Sequence, residues 1–287
     1  MRKLFFSILI TLVLITPREG QAAREIPDDN LAYPVLINLE TGSNGSGFFL
    51  NSDISTFLVT AAHVFFDETS GNLRAQKAKL LSYSKDPKET KRNIIQLDLT
   101  TLLASKRIRR HLTEDVAVVY IADTEEIADT GQKSLSVVPG VSVIEKAPSG
   151  ILGVGLDSVK HFKDVLTANT IYVFGYPTSL GLKEVPQIDP LRPLLRFGIV
   201  AGTNPNRKAI ILDCPSYPGN SGGPVLEIEK VGLAKKRFKV IGVVSQFIPF
   251  AETWVNVTHK YKNLTISNSG YAVAVSMDPV LELISKP

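Results

Sequence analysis

The sequence predicts an all-β protein, and three observations carry that reading. Short β-branched and apolar runs recur along the chain, Gly, Pro, Asn or Asp bounds nearly every one, and helical periodicity is scarce. This pattern belongs to a barrel or a sandwich. The composition agrees: 287 residues with 44% hydrophobic and 21% charged side chains exclude disorder, collagen and coiled coil.

The elements follow in chain order. Gly47–Leu50, the polar turn Asn51-Ser52-Asp53 and Thr56–Thr60 predict a hairpin that runs into Ala61-Ala62-His63. Further strands are expected at Asp115–Ile121, Thr170–Phe174, Leu195–Val200, Ala209–Leu212, Pro224–Leu226, Phe238–Val244 and Tyr271–Val275. Asp278-Pro279 starts a short C-terminal helix, expected to pack on the last strand. Gly153-Val154-Gly155 lacks the third glycine of a dinucleotide loop, Ser158 standing there.

The amino terminus reads as disposable. Arg2 and Lys3 precede the apolar run Leu4–Ile15, and Gly20-Gln21-Ala22 is a small-x-small cleavage signature, so residues 1–22 are expected to be a secretory signal peptide. The run is too short for a permanent membrane anchor. Losing Arg2, Lys3, Arg18 and Glu19 brings the formal charge of +4 down to about +2. That weakens any case for nucleic acid, and the basic clusters around Arg109 and Arg237 have no aromatic interleaving of the stacking kind and read as solvated surface loops. The single Cys214 allows no internal disulfide despite the implied oxidising compartment, so the expectation is a bacterial protein exported to periplasm or medium. Four scattered histidines make no zinc site, and no cofactor is implied. With no coiled-coil segment, a monomer is expected.

The chemistry concentrates at Pro218-Gly219-Asn220-Ser221-Gly222-Gly223-Pro224. Glycines on both sides free the Ser221 backbone for tight dihedrals and let a carbonyl approach, although such a serine is also a common turn. Two partners weigh against the turn. His63 ends an apolar strand and carries the one side chain whose ordinary pKa suits a general base at neutral pH. Asp115 sits at the mouth of a buried strand, where a carboxylate orients an imidazole; Glu114 competes with it. The same heptad satisfies Gly-x-Ser-x-Gly, but that elbow needs a helix after the serine and a later histidine, and here Pro224-Val225-Leu226 is strand-like.

With Thr60-Ala61-Ala62-His63, Asp115-Val116-Ala117-Val118-Val119 and Asp213–Pro224 in this order, the chain resembles the chymotrypsin-like serine peptidases. It is most similar to their bacterial trypsin-like, HtrA-like branch. The resemblance implies two six-stranded antiparallel barrels at about 31–125 and 166–276, a connector at about 126–165 and the helix at about 278–285. It implies His63, Asp115 and Ser221 as triad, Gly219, Asn220 and Ser221 as oxyanion hole, and a polypeptide substrate. Pro215 and Ser216 would line the pocket, and Ser245-Gln246-Phe247 would be the strand that pairs with the substrate backbone. Asn220 replaces the aspartate of the digestive branch and Pro215 its pocket acid, so activity is expected without a freed amino terminus and with a preference for small or apolar side chains. The chain end after the helix implies no PDZ domain. Insertions near 84–93, 123–160, 183–193, 229–237 and 251–268 are expected to carry selectivity. The competing class is an idle scaffold of the same fold acting as a binding module.

Overall fold

The hairpin expected at residues 47–60 organises the first lobe. In the computed structural model, which describes residues 25–126, 133–178, 185–232 and 235–285, β1 (Val35–Leu39), β2 (Asn44–Asn51) and β3 (Ser55–Thr60) form an antiparallel meander. The expected signal segment at 1–22 lies outside the described residues. Phe49 and Leu58, paired across β2 and β3, face the core of the first lobe, while Phe48, Leu50 and Val59 face the second lobe. Both faces of the hairpin are buried, which is why its sequence reads as continuous apolar runs.

The short helix α1 (Ala62–Phe65) follows, then β4 (Lys77–Tyr83), β5 (Arg92–Asp98), α2 (Leu99–Ala104), β6 (Ile108–Arg110) and β7 (Ala117–Glu126). The strands are ordered β6-β7-β3-β2-β1-β4-β5. The all-β fold of two antiparallel lobes is as expected, with the first lobe the more open. Among the described residues no ladder joins β5 to β6, and the sheet stays a half-barrel. Asp98 accepts the Thr101 N–H at 3.0 Å and so starts α2 at the very end of β5; Leu99 and Leu102 then fill the gap with buried side chains instead of a strand pair.

The stretch expected as connector is structured as well. Gly140, at φ +93°, turns the chain between β8 (Lys133–Val137), which returns along β7, and β9 (Val141–Glu145), which pairs with β5. β10 (Val154–Gly155) runs parallel to β2. These strands widen the first sheet before the chain crosses over.

The second lobe is the closed ring expected. β11 (Thr170–Gly175), β12 (Leu194–Asn204), β13 (Ala209–Asp213), β14 (Pro224–Val231), β15 (Lys235–Asn256) and β16 (Tyr261–Ser276) pair in the order β11-β12-β13-β16-β15-β14 and close through β14 and β11. The C-terminal helix α3 (Met277–Ser285) packs between the lobes rather than on the last strand alone. Its Met277, Val280 and Leu283 join Val116 and Val118 of the first lobe and Val243 and Val275 of the ring in one core. β15 and β16 continue past the ring as an antiparallel arm from Pro249–Asn268 to Asn256–Tyr261, where the sequence suggested an insertion at 251–268.

Candidate active site

The register of the first sheet brings His63 and Asp115 together. β3 pairs with β7 so that Thr60 stands opposite Ala117. The residues just after β3 and just before β7 therefore share one end of the sheet. His63 lies there on α1, and Asp115 in the turn before β7, where the Val116 N–H donates to Glu114 O at 2.8 Å. The carboxylate takes the imidazole in two ways: His63 Nδ1 is 2.8 Å from Asp115 Oδ2, and the His63 backbone N–H donates to Asp115 Oδ1 at 3.0 Å. Glu114, the competing acid, makes no such contact; its side chain accepts from Thr113.

A second donor was missed at the level of sequence. Ser245 Oγ donates to Asp115 Oδ2 at 2.6 Å, so Ser245 braces the acid as well as bordering the cleft. Its strand position alone gave no such signal, since the contact spans the two lobes. Burial pushes the His63 pKa down, but the hydrogen bond and charge of Asp115, with Glu68 adding, outweigh it and hold it above the ordinary value. Burial raises the Asp115 pKa, and His63 and the Ser245 hydroxyl together bring it below the ordinary carboxylate value.

Ser221 arrives from the second lobe on the loop between β13 and β14. Two glycines in this loop are obligatory. A Cβ at Gly222 (φ +88°) would lie 2.0 Å from Ser46 O, and one at Gly219 (φ +95°) 2.2 Å from Tyr176 O. Ser46, a buried β2 residue also absent from the sequence reading, ties the loop to the first lobe. Its N–H donates to Ser221 O at 2.8 Å, and its hydroxyl donates to Gly219 O at 2.7 Å while accepting from Tyr176 N–H at 3.0 Å. Ser221 Oγ donates to Ser245 O at 3.3 Å; no hydrogen bond joins it to His63 among the described residues.

The two carbonyls that precede Gly219 and Ser221 are both held. Pro218 O accepts from Thr178 N–H at 2.8 Å, and Asn220 O from Gly223 N–H at 2.9 Å. In a trans peptide the N–H points opposite to the preceding C=O, so the Gly219 and Ser221 amides are turned the other way. Neither has an acceptor among the described residues, and both residues line the cleft. The Asn220 amide, expected beside them, is a correction: it donates to Tyr217 O at 3.0 Å, and its buried Oδ1 has no partner among the described residues.

The cleft, about 320 Å³, is lined by His63, Asp115, Ser221, Gly219, Ser216, Ser245, Gln246 and Phe247. Pro215 is a second correction, because it does not border the cleft; Ser216, Tyr217 and Pro218 form that wall instead. Asn268 Nδ2 donates to Ser216 O at 2.6 Å and Arg196 lies 4.4 Å over the Tyr217 ring, which stiffens it. Cys214, one residue upstream of Pro215, is buried, and burial pushes its thiol up to about 11. Asp213 is exposed, and its backbone pairs in β13 hold the start of the loop rather than its carboxylate.

A family model described as trypsin-like peptidase domain matches residues 45–232, from the strand carrying Ser46 to the end of β14. The chain belongs to this family of serine proteases. No curated protein matches it. Among solved structures it is similar to the HtrA-type protease AlgW with a tripeptide, at 15% identity and a TM-score of 0.46, covering 88% of this chain and 59% of that chain. It is also similar to Deg5, at 18% identity and a TM-score of 0.48, covering 88% of each. The chain thus spans 59% of the length of the AlgW chain.

Proposed function

We propose that this member of the trypsin-like peptidase family is an exported serine endopeptidase, in which Ser221, His63 and Asp115 hydrolyse peptide bonds through an acyl-enzyme. One observation carries the reading: a half-buried His63–Asp115 pair and two backbone amides with no acceptor among the described residues, Gly219 and Ser221, border the same cleft as Ser221. Ser221 Oγ turns about its Cα–Cβ bond from Ser245 O toward His63 and attacks the substrate carbonyl as His63 takes its proton. The new C–O bond puts negative charge on the former carbonyl oxygen, which the Gly219 and Ser221 N–H groups receive. His63 then gives its proton to the leaving amine as the C–N bond breaks. A water gives a proton to His63 and bonds to the acyl carbon; the bond from that carbon to Ser221 Oγ then breaks, the acid leaves, and His63 returns the proton to Ser221 Oγ. Asp115 keeps the imidazole oriented and stabilises its charged form, itself held by Ser245.

Phe247, 36% exposed, borders the cleft beside a Ser216-Tyr217-Pro218 wall that carries no acid; the acids in the lining, Glu68 and Asp115, stand on the first-lobe side, Asp115 paired with His63. This supports a preference for small or apolar side chains before the scissile bond, over Arg or Lys. Export rests on the amino-terminal pattern of residues 1–22.

The test is digestion of reduced, carboxymethylated lactalbumin by residues 23–287, with sequencing of the products. Cleavage after small or apolar residues, lost at least about a thousandfold in Ser221→Ala, is expected. A folded wild-type chain that cleaves nothing would favour the idle-scaffold reading.

A further inference from the structure

β15 does more than pass the cleft. Up to Val243 it is paired on one side with β14, and from Gly242 to Asn256 on the other with β16. Val244 still exchanges hydrogen bonds with Gly222 and Gly223. From Ser245 to Asn256 the side away from β16 carries no backbone pair among the described residues. An open strand edge therefore begins beside Ser221 and, past register shifts at Val244–Gln246 and Phe247–Pro249, runs the length of the arm.

The direction of its backbone groups follows from Pro249. Proline has no N–H to give, so Pro249–Asn268 is a pair of the non-hydrogen-bonded type. The ladder is unbroken from there to Asn256–Tyr261, so alternation makes Ala251–Ile266, Thr253–Leu264 and Val255–Lys262 pairs of the same type. The N–H and C=O groups of Ala251, Thr253 and Val255 consequently face outward, as the Ser245 carbonyl faces the cleft.

The arm is apolar on both faces. Phe250 and Trp254 lie on one, Val255, Leu264 and Ile266 on the other, and all are more than half exposed. A two-stranded ribbon of this kind is marginal in water until another strand completes it. Its base is tied to the pocket wall through Asn268 Nδ2 on Ser216 O, and Ser269 Oγ on Ile248 O at 2.5 Å holds the two strands together there.

We propose that, beyond the Ser245–Phe247 strand, the free edge of the arm from Ala251 to Val255 also binds the acyl-side segment of the substrate as an added antiparallel strand, so that cleavage depends on a long, extended acyl side. The inference rests on the peptidase reading. Continuity selects this occupant: a chain whose scissile bond lies at Ser221 and whose backbone meets Ser245 has the arm directly in its path. At two substrate residues per outward-facing position, Val255 is reached about eleven residues, roughly 35 Å, before the scissile bond.

The test uses peptides that share one scissile bond found in lactalbumin, with about three, six, nine and twelve residues on the acyl side. For wild type, kcat/KM is expected to rise about tenfold or more between the shortest and longest. The long-to-short ratio should stay high in Thr253→Ala, which keeps the N–H, and fall toward one in Thr253→Pro and in a chain with residues 250–267 replaced by a Gly-Gly turn. Equal rates at all lengths in wild type, or a ratio indifferent to Thr253→Pro and the arm deletion, would overturn the proposal. So would a dimer at assay concentration that either variant dissociates, since the edge would then pair with a second copy. Fluorescence anisotropy of the same peptides on Ser221→Ala separates the two readings. Length-dependent binding without any cleavage by wild type removes the peptidase and keeps the docking edge; cleavage with length-independent binding removes the edge alone.

Discussion

Replacing Ser46 by alanine tests how the nucleophile loop is held. The Ser46 hydroxyl is fully buried, donates to Gly219 O at 2.7 Å and accepts from Tyr176 N–H at 3.0 Å. Ser46→Ala keeps the backbone bond to Ser221 O but orphans both of those groups in the interior. Each costs about 1–3 kcal/mol, so the folded state should lose about 2–6 kcal/mol, or roughly 4–20 °C in Tm for a protein of this size. Freeing the Gly219 carbonyl also loosens the Gly219–Asn220 peptide, which lies between the two amides of the hole and fixes their spacing. Complete loss of one oxyanion donor costs about a hundred- to a thousandfold, and partial loss should lower kcat by roughly ten- to a hundredfold with a smaller change in KM. Thermal unfolding and steady-state hydrolysis of a short peptide read the two effects separately. A variant that melts within about 2 °C of wild type would refute the anchoring role, and one that is destabilised yet keeps its kcat would refute the positioning role.

Further outcomes are expected from the same geometry. Because Asp115 holds the His63 pKa above the ordinary 6.5, the neutral base is lost as pH falls through a value higher than that; kcat/KM should be half-maximal above pH 6.5, and a midpoint below pH 6 in a pH–rate profile would contradict it. Ser245→Ala removes the hydroxyl at 2.6 Å from Asp115, a charge-assisted bond worth about 1.5–3 kcal/mol; kcat should fall about tenfold with the protein folded, and unchanged kinetics would reduce Ser245 to a cleft wall. Cys214, buried and with its thiol pushed up to about 11, should resist iodoacetamide at neutral pH until the chain is unfolded; rapid alkylation of native protein, seen by mass spectrometry, would show the loop to be open.

Much of the site is legible in the sequence because its parts are local. His63 follows directly from β3, the Ser221 loop announces itself through glycines that no other residue replaces, and Asp115 precedes a continuous apolar strand. What escapes are contacts set by register between lobes. Ser46, Thr178 and the Ser245 hydroxyl are ordinary serines and threonines until the fold places them against Gly219, Pro218 and Asp115. Asn220 was expected to lend its amide, but the turn spends that N–H on Tyr217 O. The arm was hidden for a different reason: its apolar residues are exposed on both faces and mixed with Asn and Thr, so no buried face imposes the two-residue alternation by which a strand is recognised. The half-barrel was equally unreadable, since α2 takes the place of a strand pair only through the tertiary burial of Leu99 and Leu102.

The central claim is that Ser221 and His63 act as a nucleophile and its base. Its most direct test is labelling of residues 23–287 with a fluorophosphonate, followed by peptide mapping of the adduct. A single adduct on Ser221, absent in Ser221→Ala and slowed at least about a hundredfold in His63→Ala, is the predicted result. A folded protein that takes no label, or takes it equally with and without His63, would contradict the account.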